Sequence, residues 1–316
     1  PSGTASAVVG GLVPVNVPNA RSTVEEMRYE PFIIHNWVFN SRMSLESSVL
    51  YEDSQISQSG EISKERNYDY VKPKLDFRYD LTPTIQLRGT MEKIVQQLSF
   101  NDFVAALDRN DEDRDVQFGN DNLKQEWYWN YEFNAEYRLP NDIGVASARV
   151  FYEDWTDRIE RIDVSPSKEN LQGASGNVGD GEKYGLELNS STRMRMIGLP
   201  NLLINASVSV EDSRITDPFL GIDRRFSFSW RGRQTLSFRH DIPSKRMNWG
   251  VRYSNSQDGN RKFYDLIDIE VWDSDPFVTA FFEWRSPDNT TVRFEANQLG
   301  SWEFCRKRFR YNGGIA

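Results

Sequence analysis

Apolar side chains recur at every second position along most of the chain, the period of a β-strand, in which successive side chains point to opposite faces. Tyr131, Phe133, Ala135 and Tyr137 share one face of such a segment, and Glu132, Asn134, Glu136 and Arg138 share the other. Leu202, Ile204, Ala206, Val208 and Val210 oppose Asn205, Ser207, Ser209 and Glu211 in the same way. Near the end of the chain, Val292, Phe294 and Ala296 oppose Arg293, Glu295 and Asn297. Each segment has one apolar and one polar face.

The connections alternate as well. Short turns are predicted at Asn40 to Met43, Asp80 to Thr84, Leu139 to Gly144, Ile197 to Asn201, Ile242 to Arg246 and Ser286 to Thr290. Several carry Pro, Gly, Asn or Asp, which set or tolerate turn dihedrals. Between them lie long polar stretches: Asp53 to Asp69, Gln97 to Glu126, Thr156 to Gly181, Asp212 to Ser229 and Asn255 to Pro276. Six short turns imply about twelve strands in an all-β, up-and-down antiparallel meander with every long loop on one side. That is the plan of a transmembrane β-barrel of the bacterial outer membrane, with short periplasmic turns and long external loops. Trp127, Trp129, Tyr131, Phe133, Ala135 and Tyr137 share a face over roughly 33 Å of strand. At a tilt of about 40° this projects to about 25 Å, the height of a lipid-facing band. Trp127, Trp129, Tyr137, Trp249 and Trp284, with Trp37, fall on that outward parity as an interfacial aromatic girdle.

Composition agrees. Aromatic residues make up 13% of the chain, with 9 Trp and 13 Tyr, yet hydrophobic residues total 38% and the mean hydropathy is −0.65. The apolar runs, such as Leu202 to Ile204, are far shorter than the ~20 residues of a membrane-crossing helix. A net charge of −9 argues against a general nucleic-acid binder, because phosphate backbones attract basic surfaces. Cys305 is the single cysteine, so it forms no internal disulfide and reads as an incidental thiol. Pro1 to Val9 has neither the basic nor the long apolar region of a signal peptide, so the chain reads as an excerpt. A soluble β-sandwich packing the same aromatics as core is the alternative, and long strands with one-sided loops weigh against it.

Two segments resemble TonB-dependent outer-membrane receptors. Phe118-Gly119-Asn120-Asp121-Asn122-Leu123-Lys124-Gln125-Glu126, followed by Asn130-Tyr131-Glu132 and Glu136-Tyr137, is similar to that family's GNPxLKPE…NYExGxEY stretch. Phe151-Tyr152, Asp157-Arg158-Ile159 and Gly181-Glu182-Lys183-Tyr184-Gly185-Leu186-Glu187 follow in family order, with Asp121 and Gln125 standing where the family usually has proline. The resemblance implies a twenty-two-stranded barrel closed inside by an N-terminal plug. This chain would then hold about its C-terminal half, without the plug and without the segment that contacts TonB. On that reading residues 1–31 are an incoming external loop and residues 32–316 a partial barrel. Its edge segments, Phe32 to Asn40 and Thr290 to Asn297, would pair with strands outside this chain, since open edges leave backbone groups unpaired in lipid.

Parity also points charged residues into the lumen: Arg78, Arg88, Glu132, Glu136, Arg149, Glu187, Arg239, Arg252, Arg293 and Glu295. They read either as pairs within the wall or with the plug, or as ligand contacts. The external-loop aromatics Phe100, Phe103, Phe219, Phe263, Tyr264 and Trp272 either clasp a ligand or pack the loops together. No catalytic motif, metal site or cofactor is expected. His35 and His240 lie in separate strands, and Asp108 to Asp115 interleaves arginines that oppose a cation. The expected function is TonB-coupled uptake of a scarce solute, an iron–siderophore-like complex, cobalamin or a carbohydrate, with TonB, the plug and outer-membrane lipid as partners. A passive or structural barrel and a soluble carbohydrate-binding domain are the competing readings.

Overall fold

The computed structural model describes all residues except 1–2, 7–11, 16–21, 61–62, 104–105, 108–115, 169–170, 257–260, 301–302 and 312–316. The run Asp108 to Asp115 lies outside the described residues. One antiparallel sheet carries a meander of twelve strands: β1 (Phe32–Asn40), β2 (Met43–Gly60), β3 (Lys64–Asp80), β4 (Ile85–Val95), β5 (Trp127–Arg138), β6 (Gly144–Thr156), β7 (Gly181–Met194), β8 (Leu199–Thr216), β9 (Gly232–Ile242), β10 (Met247–Ser256), β11 (Phe277–Arg285) and β12 (Thr291–Ala296). Each strand pairs with its chain neighbours; β12 forms one end of the sheet, and β1 together with Ser22–Tyr29, both paired with β2, forms the other. The six short turns stand at one end of the strands and the long connections at the other. Turn chemistry explains the tight end: Asn141, Asp142, Arg246 and Asn289 take positive φ of 53 to 63° there, a region that Asn and Asp enter at lower cost than most residues.

The sheet does not stop where the alternation does. The stretch Asp53 to Asp69, expected as a loop, is largely paired strand, with β2 and β3 in register out to Gln58 opposite Lys64. Its inner side chains Ser54, Ile56 and Gln58 are buried, with Ile56 packed on Leu98, Phe103 and Leu123 from the 97–126 connection. Cover supplied by another loop makes a polar segment a strand. Ser22–Tyr29, within the expected irregular lead-in, pairs with the outer part of β2. It continues the line of β1 across Pro31, whose carbonyl accepts from Tyr51 N at 3.0 Å while the ring supplies no N–H to the ladder. Asp212 to Thr216 likewise belongs to β8.

One face of the meander is apolar across strand after strand. Phe77, Gly89, Phe133, Val150, Leu186 and Val210 lie in register over six adjacent strands. Phe133, Val150, Leu186 and Val210 are all exposed, as are Tyr131, Tyr152 and Tyr184 in the next row. A continuous band of exposed apolar side chains across adjacent strands is the surface that hydrocarbon solvates on the outside of a membrane barrel. The hydrophobic clusters of buried residues sit instead in the external layer: Ile56, Leu98, Phe103 and Leu123 in one, Trp155, Ile215 and Phe226 in the other.

Candidate functional site

The inward face is polar because the same alternation that turns Phe133 and Tyr137 outward turns Glu132 and Glu136 inward. All ten charged residues expected on this face stand there by register. Arg149 on β6 reaches Glu132 on β5 at 2.7 Å and Glu187 on β7 at 3.2 Å, a three-strand charge triad. Arg293 on β12 lies 3.4 Å from Glu283 and 3.2 Å from Glu295. Arg239 pairs with Asp241, and Arg78 with Asp80. Arg88 Nε donates to Gln86 at 3.1 Å, and Glu136 lies 3.4 Å from Arg138. Arg252 stands opposite Ser237 and Thr279 on this face. Two inward rings lie beneath these cations, with Arg149 4.7 Å from the Phe151 ring centre and Arg293 4.5 Å from that of Phe281. The residues are distributed around the wall as local pairs rather than gathered into one constellation.

The aromatic girdle stands on the opposite face. Trp129 stacks on Tyr131 with ring centres 6.3 Å apart, and Trp249 meets Phe238 edge-on. Tyr137, Trp249 and Trp284 are exposed near the short-turn end. Lys93 Nζ lies 4.0 Å over the Trp127 ring, a cation on the outward face that the alternation did not single out.

Above the sheet the long connections form a cap joined by buried charge. Glu126 receives Arg158 Nη1 at 2.8 Å and the Ile159 N–H at 2.6 Å, so the family-like segment ends by fixing the hairpin formed by Ile159–Asp163 and Gly173–Asn177. Glu160 of that hairpin takes Arg224 Nη1 at 2.9 Å, and Arg224 Nε donates to Asp217 at 2.6 Å. Charges removed from water hold only when paired in this way. Arg224 also lies 4.1 Å from the Tyr264 ring centre, and burial pushes the Tyr264 hydroxyl up. A three-stranded sheet of Arg261–Tyr264, Asp268–Ser274 and Phe304–Arg310 completes the cap. In it Glu270 is held below the usual carboxylate range by its hydrogen bonds with Arg306 and Trp272, which outweigh burial. Burial pushes Asp268 up to about 6 even though Arg308 Nε stands 2.7 Å away.

The loop aromatics divide. Phe103 is fully buried and packs loops together, whereas Phe100 is exposed. Phe263 stacks on Phe228 at 4.9 Å, and Trp272 meets Phe228 at 5.9 Å and Phe304 at 5.3 Å. Phe219 is half-buried, its N–H donating to Asp217. Tyr264 lines a cavity of about 860 Å³ between the 217–231 segment and the three-stranded sheet. Its cationic lining residues, Arg224, Arg225, Arg231, Lys262 and Lys307, escape a reading by alternation because they come from separate, irregular connections.

A family model described as TonB dependent receptor-like, beta-barrel matches residues 2–302. No curated protein matches this chain by sequence. Among solved structures, the ferric-catecholate import receptor Fiu from K12 E. coli aligns with a TM-score of 0.64 at 12% identity, over 92% of this chain and 42% of that one. The alcaligin outer-membrane receptor FauA from Bordetella pertussis gives 0.59 at 15%, over 91% and 45%. The copper transporter OprC gives 0.66 at 14%, over 87% and 43%. This chain therefore spans less than half the length of each of these structures. With a one-sided loop layer, an apolar outer face and a family match over nearly its whole length, the chain belongs to the TonB-dependent receptor family and forms part of that family's outer-membrane β-barrel.

Proposed function

We propose that this chain is the wall and external cap of a receptor that takes up a scarce solute by active transport. In this reading a plug domain fills the lumen, and TonB pulls on a segment outside this chain. The observation that carries it is the pairing of a charged, polar inward face with a cap of interlocked loops at one end only. A wall built to meet lipid alone has no need of the Glu132–Arg149–Glu187 triad, whereas a polar plug or a passing solute does. The similar structures are a ferric-catecholate receptor, an alcaligin receptor and a copper transporter, which supports testing iron or metal complexes first, ahead of cobalamin and carbohydrate. No chemical transformation of the solute is part of this reading.

The test is uptake. A strain lacking the gene is compared with its parent for accumulation of labelled iron complexes, cobalamin and oligosaccharides, each with and without TonB. Loss of one solute's uptake in both the receptor and the TonB deletions is the expected result. Uptake that depends on the receptor but is unchanged without TonB would sink the energised reading.

A further inference from the structure

The cap cavity has a chemistry of its own. Its sheet wall is fixed by register: Lys262 and Lys307 each stand opposite Val271, on either side of it, while Tyr264 and Phe309 stand opposite Ile269. All six line the cavity. The two lysines are therefore separated by two strand spacings, roughly 10 Å, across an apolar floor. Both are exposed, and neither has a carboxylate partner among the described residues.

The facing wall adds Arg224, whose side chain is only 6% exposed. Glu160 and Asp217 take its Nη1 and Nε, and its Nη2 is buried without a hydrogen-bond partner. Nearby carboxylates neutralise the arginines: Glu160 and Asp217 match Arg224, and Asp212 lies 2.8 Å from Arg225 Nε. Asp217 is committed to Arg224, and Asp223 lies 3.9 Å from Arg214 outside the lining. Lys262 and Lys307 therefore carry the positive potential of this cavity, in a chain of net charge −9.

We propose that this cavity is a binding subsite for an amphiphilic dianion, a solute with two acidic groups on the order of 10 Å apart joined by an apolar body. The acidic groups sit at Lys262 and Lys307, and the apolar body lies on Ile269, Val271 and Phe309. The place of this subsite in uptake rests on the receptor reading, while its binding chemistry does not.

The probe is decanedioate, whose carboxylates span on the order of 10 Å when extended, titrated by calorimetry into the full-length receptor in detergent. Decanediamide is the uncharged control and decanoate the monoanion. Decanedioate is expected to bind at least about tenfold more tightly than either control, a factor set by one charge-assisted contact. Lys262→Gln and Lys307→Gln are each expected to weaken it about tenfold and to leave decanoate affected by only one of the two. Both lysines are exposed, and an unchanged melting temperature confirms that the variants fold. Equal affinity for diacid and diamide, no detectable binding of decanedioate, or wild-type affinity in both variants overturns the proposal. Charge-dependent binding together with TonB-independent uptake removes the receptor reading alone; TonB-dependent uptake without such binding removes the subsite alone.

Discussion

Phe151 lies across the strand position of Gly185, so close that a Cβ on Gly185 would stand 2.7 Å from the ring. The two residues are directly opposed in register on the inward face, and the same ring carries Arg149 and Lys183 above it. Gly185 is therefore the floor on which an aromatic and two cations are laid. Val210 O lies equally near, at 2.7 Å, so backbone as well as ring opposes a larger residue. Gly185→Ala is expected to destabilise the barrel by about 1–3 kcal/mol, read as a lower midpoint in urea unfolding or in heat modifiability. Gly89, which has nothing within 4 Å of its Cβ position, is the control, and Gly89→Ala is expected within about 0.5 kcal/mol of wild type. Equal effects at both positions would remove the packing argument.

The lipid-facing assignment makes a depth-dependent prediction on a single strand. Phe133 and Tyr137 are on the same face of β5, one mid-strand and one near the short turn. Phe133→Arg is expected to cost about 2–4 kcal/mol and Tyr137→Arg about 0–1 kcal/mol in unfolding from liposomes. A reversed order would place the bilayer elsewhere on the strand.

Arg224 holds the cap together through two carboxylates at once. Replacing it with Met leaves Glu160 and Asp217 as buried charges without that partner, at a cost of about 3–5 kcal/mol. Hydrogen exchange should quicken in residues 159–163 and 217–226, while strands β5 to β8 keep their protection within the bilayer. Unchanged exchange in the cap would show that the pairing adds nothing to its stability.

The three-stranded cap sheet should respond to pH in two stages. Burial raises Asp268 to about 6 and also raises Asp265. A carboxyl raised in the folded state disfavours folding once ionised, so its contribution is fully present below the ordinary value and lost as pH rises through about 6. Glu270 is lowered, so its contribution is present above the ordinary value and lost as pH falls below it. Protection of residues 268–274, corrected for intrinsic exchange, should therefore rise from pH 7 to about 5 and fall again on further acidification. Asp268→Asn should reduce the first change, and a monotonic profile in the wild type would contradict the assignment of opposite shifts.

Much of the wall was legible because alternation is local. The outward parity of Tyr131 and Phe133 and the inward parity of Glu132 and Arg149 follow from strand geometry at each position, whatever the neighbouring strand contains. The six short turns were legible for a similar reason, since residues such as Asn141 and Asn289 tolerate positive φ within a few residues of chain. The cap was not legible. Asp53 to Asp69 has the composition of a loop, and it becomes a strand because Phe103 and Leu123, far along the chain, cover one side of it.

The sequence by itself determined that this protein is a meander of about twelve strands with one apolar face, one polar face and its long connections at one end. It determined this because side-chain alternation and turn dihedrals are properties of neighbouring residues. Only the tertiary structure decided which charges meet and which aromatics face a cavity. Arg149 finds Glu132 and Glu187 through the register of three strands, Phe103 is buried while Tyr264 lines open space, and Lys262 and Lys307 flank Val271. Those relationships join residues from distant connections whose ends are free to meet in many ways until packing and burial of charge select one.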